Sequence, residues 1–319
     1  YIKSIIKNKN NFVINLDIVS YASNEDRFCG YKNYKFFKGD VCDKKLVTSI
    51  FEDFNIDYVI NFAAESHVDN SLVDVMKFVN SNVLGVANLL DCAQKSWKNK
   101  KNKRFIQIST DEVYGSNKDK EFFEDDKLSP SSPYSSTKAC AELICKSYVS
   151  SFNFPAIIVR SSNNFGFYQH PEKLIPKTFL SCVNKKPILL YKNSKFHKRN
   201  WLYVEDNVNA INLVLEKGKI GEVYNICSDT EKTNIEIIKK IIDYCKNNID
   251  NKISEKLIKI VNTRPNDDER YLMNCDKITK LGFVVTNFEE NFKSTLDFYK
   301  NNIEYLKKQN ERNYNNNKK

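Results

Sequence analysis

Short apolar runs alternate with amphipathic stretches through the first half of this chain, and that order constrains the fold more than any other feature. The runs at 11–17, 34–39, 57–63, 104–109 and 155–161 are six or seven residues long and rich in β-branched and aromatic residues, which is strand behaviour. Between them, apolar residues recur at helical spacing. Strands separated by helices are joined by crossovers that return the chain to the same end of the sheet, so they pair in parallel. The expectation is an α/β fold: a doubly wound parallel sheet with a smaller α/β substrate-binding domain. Past residue 166 the order changes. Residues 167–196 and 227–305 mix helices with short strands, while 201–218 and 223–226 are expected to return to the main sheet. One domain would then comprise 1–166 and 197–226, and the second 167–196 and 227–307. The Asn- and Lys-rich tail, 308–319, is expected to be disordered.

Residues 104–108 read as a buried strand, so Ser109, Thr110, Asp111 and Glu112 fall at its carboxyl end, where open α/β sheets bind ligands. The segment Ser109-Thr110-Asp111-Glu112-Val113-Tyr114-Gly115 is followed by Tyr134-Ser135-Ser136-Thr137-Lys138. After Pro133, residues 134–149 place Ala141, Ile144, Cys145 and Tyr148 at helical spacing without internal Gly or Pro, which predicts a helix. Tyr134 and Lys138 become an i, i+4 pair on one face. A Lys one turn from a Tyr stabilises the phenolate and is expected to lower the phenol's pKa, making it a usable base. Alone, Tyr-x-x-x-Lys would be a solvated helix face, and Asp-Glu after a strand a helix cap. Together they set a hydroxyl, two carboxyls, a phenol and an ammonium where one small polar substrate can touch all five.

Other segments accompany these two, in order: Asn61-Phe62-Ala63-Ala64-Glu65-Ser66-His67-Val68-Asp69-Asn70-Ser71, Ser162-Asn163-Asn164-Phe165-Gly166, Pro171-Glu172-Lys173-Leu174-Ile175-Pro176, Arg199-Asn200-Trp201-Leu202-Tyr203-Val204-Glu205-Asp206, and Arg264-Pro265 leading into Arg270-Tyr271. From about residue 11 to residue 300 the chain resembles the nucleotide-sugar 4,6-dehydratases of the extended short-chain dehydrogenase/reductase superfamily. The resemblance implies a Rossmann-type sheet, NAD as cofactor and a nucleoside diphosphate glucose as substrate, dTDP-glucose first and UDP-glucose second. It implies Thr110, Asp111, Glu112, Tyr134 and Lys138 as catalytic residues. Tyr134 would take the proton of the sugar's 4-hydroxyl, Glu112 the C5 proton, and a protonated Asp111 would give its proton to the departing 6-hydroxyl. An elimination needs two carboxyl groups with separated pKa values, whereas a 4-epimerase or decarboxylase needs neither.

By the same resemblance, Asp17, Asp40, Val41, Ala63, Ala64, Ser66, Ser81, Tyr134, Lys138 and Asn164 would bind the cofactor. Thr110, Asn163, Lys173, Leu174, Tyr191, Arg199, Asn234 and Arg264 would bind the substrate. At Arg264-Pro265-Asn266-Asp267-Asp268 the chain departs from the bacterial dTDP-glucose enzymes, which have Gly and His there, and the nucleobase is left open between thymine and uracil. A homodimer is expected through helices near 74–97 and 134–152, and a cytoplasmic location.

A dinucleotide-binding fold opens with a strand and a Gly-rich turn whose amides approach the pyrophosphate. The eight glycines, at 30, 39, 85, 115, 166, 218, 221 and 282, never cluster. Residues 1–9 read as the tail of a helix, and the expectation is an N-terminally truncated chain lacking the first strand and its loop. A non-catalytic remnant that binds nucleotide sugars is the competing reading, opposed by the retention of all five catalytic residue types.

Composition excludes more than it assigns. Nine cysteines without a Cys-x-x-Cys argue for reduced thiols and against a disulfide framework. The three histidines, His67, His170 and His197, lack ligand spacing, so no metal is expected. A net charge of +10 raises nucleic acid as a partner, but six basic residues cluster in 95–104, a predicted loop without interleaved aromatics, so none is expected. No apolar stretch approaches the ~20 residues of a spanning helix, so no membrane is expected either.

Overall fold

The computed structural model describes residues 1–23, 28, 30–117, 119–262 and 268–316. Its strands are β1 (Val13–Asp17), β2 (Tyr34–Lys38), β3 (Tyr58–Asn61), β4 (Arg104–Thr110), β5 (Ala156–Ser161), β6 (Asn163–Phe165), β7 (Ile188–Tyr191), β8 (Lys198–Tyr203), β9 (Val223–Ile226), β10 (Glu231–Thr233) and β11 (Ile258–Val261). Its α-helices are α1 (Ile2–Ile5), α2 (Lys44–Asp53), α3 (Val68–Val73), α4 (Val75–Val79), α5 (Gly85–Ser96), α6 (Pro133–Phe152), α7 (Leu174–Val183), α8 (Val204–Lys217), α9 (Asn234–Asn248), α10 (Asp276–Thr279), α11 (Phe288–Asn301) and α12 (Ile303–Asn316).

β3, β4, β5 and β9 pair in that order, all parallel, and β1 pairs in parallel with β2. Among the described residues β1 and β3 do not pair with each other. Every residue of β5 is buried, as a strand covered on both faces requires. Because successive side chains point to opposite faces, Phe105 and Ile158 pack against α2, α5 and α6, while Ile106, Ile157 and Val159 pack against α8. Each such side chain contributes about 1.5–3 kcal/mol of burial free energy. A third core joins α7, α9, α11 and α12 to the short strands, with Phe179, Trp201, Ile238, Phe292 and Leu306 at its centre.

Four expectations change. Residue 201 does not rejoin the main sheet: β8 pairs with β6 and β10, and the return is made by α8 and β9. The helix expected over 74–97 is interrupted by a π-turn at Asn80–Leu84. The segment from 308, expected to be disordered, continues α12 to Asn316, anchored by buried Leu306 and Gln309. Cys227 and Cys275 are joined as a disulfide because the end of β9 lies against the start of α10, while Cys42, Cys92, Cys140, Cys145, Cys182 and Cys245 are free. Among the described residues no helix is long and apolar enough to cross a membrane.

Candidate active site

β4 runs into a single 3-10 turn, Asp111–Tyr114, and the parallel register sets Ser109 beside Arg160 and Thr110 beside Ser161. The Thr110 hydroxyl caps the turn, accepting from the Glu112 amide at 3.3 Å and donating to Asp111 Oδ1 at 3.0 Å. Gly115 ends it at φ 77°, where a Cβ would overlap the Ser129 carbonyl oxygen, so only glycine fits. Asp111 is thereby held 2% exposed. Burial, and then the charge of Glu112, push its carboxyl up to about 7. Its Oδ2 is buried without a partner, as an acid awaiting a substrate oxygen would be.

α6 begins with Pro133 at its first position and a capping box between Ser132 and Ser135, which fixes the register of Tyr134 and Lys138. The Tyr134 hydroxyl bonds with Thr110, joining the turn after β4 to α6. Burial, Glu112 and Asp111 raise the Tyr134 phenol well above its ordinary range. The expected lowering by Lys138 is therefore overturned in this structure. The Lys138 ammonium instead donates to the Ile108 carbonyl at 2.5 Å, and burial pulls it down to about 8.

The sequence-assigned cofactor residues line the carboxyl edge of the parallel strands. Asp17 ends β1, and its Oδ1 accepts from the Val19 amide at 2.6 Å and the Ser23 hydroxyl at 2.9 Å. Asp40 follows β2 and accepts from the Cys42 amide at 2.8 Å, with Val41 buried beside it. Ala63, Ala64 and Ser66 follow β3, and Ser81 lies in the π-turn. Asn164, in β6, donates to the Ser162 carbonyl at 3.0 Å, leaving its Oδ1 buried and without a partner. A carboxylate for a ribose at β1 and an open amide oxygen beside the catalytic strand fit the two ends of a dinucleotide.

The substrate residues divide into groups. Arg199 Nη2 donates to the Asp268 carbonyl at 2.8 Å, its guanidinium lies 4.8 Å from the Tyr271 ring centroid, and its charge acts on Asp111. Asn163 has a buried, unpartnered Oδ1. Lys173 reaches from the foot of α7 to the Ser66 carbonyl at 3.0 Å, joining a residue that the sequence assigned to substrate to one it assigned to cofactor, while Leu174 packs on the core around α7, α9 and α11. Tyr191 and Asn234 gather around Ser194, whose hydroxyl donates to the Tyr191 carbonyl at 3.1 Å and whose carbonyl accepts from Asn234 Nδ2 at 2.9 Å. Arg264 lies outside the described residues.

Sequence reasoning missed three residues at this site. Asn82, in the π-turn, accepts from the Glu65 amide at 2.8 Å and donates to the Thr137 hydroxyl at 3.0 Å, pinning the loop after β3 to α6. Only the backbone irregularity marks it, and π-bulges gather at functional sites. Arg160 and Glu142 form a fully buried ion pair at 2.7 Å. The legible signals were a charged residue inside an otherwise apolar strand and a carboxylate one turn beyond Lys138.

The family model described as GDP-mannose 4,6 dehydratase matches residues 2–295. The low-salt glycan biosynthesis protein Agl12 of Haloferax volcanii is 40% identical, over 94% of this chain and 94% of its own length. The dTDP-glucose 4,6-dehydratase of Haemophilus influenzae is 40% identical over 93% of each chain. Among solved structures, DesIV, a dTDP-glucose 4,6-dehydratase from Streptomyces venezuelae with NAD and TYD bound, superposes with a TM-score of 0.87 at 32% identity, covering 94% of this chain and 90% of that one.

Proposed function

The chain belongs to the GDP-mannose 4,6 dehydratase family, and on that premise we propose that it is an NAD-dependent dTDP-glucose 4,6-dehydratase, a hydro-lyase yielding dTDP-4-keto-6-deoxyglucose. The observation that carries this reading is the buried Asp111 beside Glu112, within one turn of a Thr110–Tyr134 hydrogen bond. An acid held protonated next to a second carboxyl is what removing water across C5 and C6 demands, and a dehydrogenase or epimerase has no use for it.

Asp17, Asp40, Val41, Ala63, Ala64, Ser66, Ser81 and Asn164 would hold NAD, which would supply a hydride acceptor at C4 and a hydride donor at C6. Tyr134, ionised to the phenolate, takes the proton of the 4-hydroxyl, and Thr110 hydrogen-bonds the same oxygen. The 4-ketone acidifies C5, whose proton goes to Glu112 and is given back to C5 when hydride adds at C6. Asp111 protonates the departing 6-hydroxyl, which leaves as water. Lys138 supplies the positive charge one turn from Tyr134. Arg199, Lys173, Asn163, Leu174, Tyr191 and Asn234 hold the nucleoside diphosphate glucose, with Arg199 and Lys173 meeting its negative charge.

Residues 1–166 and 197–226 form the cofactor unit and 167–196 and 227–307 the substrate unit; the core around α7, α9 and α11 supports the second, with Phe165, Trp201 and Tyr203 reaching into it from the first and Ile278 and Phe283 packing back on the main sheet. Val73 (88% exposed) and Met76 (63%), next to α5, and Leu143 (59%), on α6, support a homodimer through these helices. The six free cysteines among the described residues favour the cytoplasm, and the Cys227–Cys275 disulfide does not.

Turnover of dTDP-glucose and of UDP-glucose with NAD, following the 4-keto-6-deoxy product, tests the reading. Product from dTDP-glucose in preference to UDP-glucose is expected. Sugar-nucleotide binding without product from either would overturn it in favour of a non-catalytic binder.

A further inference from the structure

Tyr134, Lys138 and Glu142 occupy successive turns of one face of α6, and the last of them is wholly buried. Glu142 receives two donors from β5: Arg160 Nε at 3.0 Å and Nη2 at 2.7 Å. The other end of the same guanidinium turns toward the catalytic turn. Arg160 Nη1 donates to the Tyr114 hydroxyl at 2.6 Å and to the Glu124 carbonyl at 3.0 Å. The Tyr114 ring lies 4.6 Å below the guanidinium, and its hydroxyl donates to Asn225 Oδ1 at 2.7 Å. Arg160 therefore grips the last residue of the Asp111–Tyr114 turn and the helix that carries Tyr134 and Lys138. No other part of the proposed chemistry uses it.

We propose that Arg160 is a positioning residue: by binding Glu142 it fixes the carboxylate one helical turn from Lys138, and by binding Tyr114 it locks the carboxylate turn against α6. The inference rests on the dehydratase reading for the roles of Lys138 and the turn. Lys138 faces Glu142 and Cys145 from its own helix and the Ile108 carbonyl from β4, while Arg160 stands behind Glu142 on β5. Asp111 and Glu112 act on Tyr134 at the mouth of the site. Of these, Glu142 is the charge that favours the ammonium, and Arg160 attenuates it. A carboxylate bonded by a guanidinium at both oxygens gives Lys138 less support than a lone one.

The two partners are thus expected to move Lys138 in opposite directions. In Glu142→Gln the support is gone, and the Lys138 titration midpoint falls by about one pH unit. In Arg160→Met the unshared carboxylate raises it by a similar amount. Glu142→Gln/Arg160→Met removes both members of the buried ion pair and strands neither, so it folds even where Arg160→Met does not, and its midpoint falls as in Glu142→Gln. NMR of ε-13C-labelled lysine reads these midpoints directly, the Lys138 signal being assigned by its loss in Lys138→Met. The alkaline limb of dTDP-glucose turnover should fall with the midpoint in Glu142→Gln and recover in Glu142→Asp. An unmoved Lys138 midpoint in Glu142→Gln and in the double variant, with only thermal stability reduced, would make the pair structural and overturn the proposal. A parent chain that turns over no sugar nucleotide would overturn the dehydratase reading instead, and the NMR titration would still decide this one.

Discussion

The Tyr21 hydroxyl donates to a carboxylate oxygen of Glu172 at 2.7 Å, across 151 residues of sequence. Tyr21 belongs to the turn that follows Asp17, and Glu172 directly precedes Lys173 at the foot of α7. The hydrogen bond ties the loop assigned to the cofactor ribose to the segment assigned to the substrate. Tyr21→Phe removes the donor and keeps the ring on His170, 5.2 Å away. We expect NAD to strengthen dTDP binding in the parent, and that gain to shrink several-fold in the variant, since a coupling of 1–3 kcal/mol corresponds to ~5–150-fold. Calorimetric titration of dTDP with and without NAD measures it, and an unchanged gain would assign the coupling elsewhere.

The two carboxyls should separate by exchange chemistry. Glu112→Gln is expected to leave C4 oxidation partly intact while abolishing solvent-deuterium incorporation at C5. Asp111→Asn should retain that incorporation but fail to expel the 6-hydroxyl as water. Deuterium wash-in at C5 in Glu112→Gln would remove Glu112 from its role as base.

Tyr134→Phe removes the group that takes the 4-hydroxyl proton. A loss of ~2 to 4 orders of magnitude in kcat is expected for a general base. Because Thr110 keeps its bonds to Asp111 and to the Glu112 amide, folding should be unaffected. Parent-like turnover would refute the proton path as a whole.

Asp111 predicts a pH dependence whose sign follows from its direction of shift. Its folded value, about 7, lies above the unfolded value of 3.8, so between these the native state keeps a proton that the unfolded chain has released. Stability therefore falls as pH rises through this window and levels off above it. Asp111→Asn has no such dependence, and its advantage over the parent should grow by on the order of 2–3 kcal/mol between pH 5 and pH 8. Urea unfolding at the two pH values tests this. Turnover by the parent should decline above about 7 as the acid is lost.

The strands at 11–17, 34–39, 57–63, 104–109 and 155–161 were readable because local residue choice and burial agree there, and all five appear within a few residues of their expected bounds. The turn after β4 was equally plain. Thr110, Asp111 and Glu112 are consecutive, and Tyr134 and Lys138 are one helical turn apart, so their relation depends on local geometry alone. β8 was misplaced because three residues of pairing carry no local mark of which strand they join. The tail was misread because its composition is polar, whereas two buried side chains, Leu306 and Gln309, are enough to dock it.

Sequence alone determined the α/β class, through periodicity, and the order of the residues proposed for catalysis, through their resemblance to the nucleotide-sugar dehydratases. Tertiary structure decided what those groups are. It buried Asp111 against Glu112 and raised it, turned the Lys138 ammonium onto the Ile108 carbonyl rather than toward a phenolate, and brought Arg160 between Tyr114 and Glu142. Charge states depend on dielectric and on neighbours distant in sequence, and neither exists until the sheet and its helices have packed.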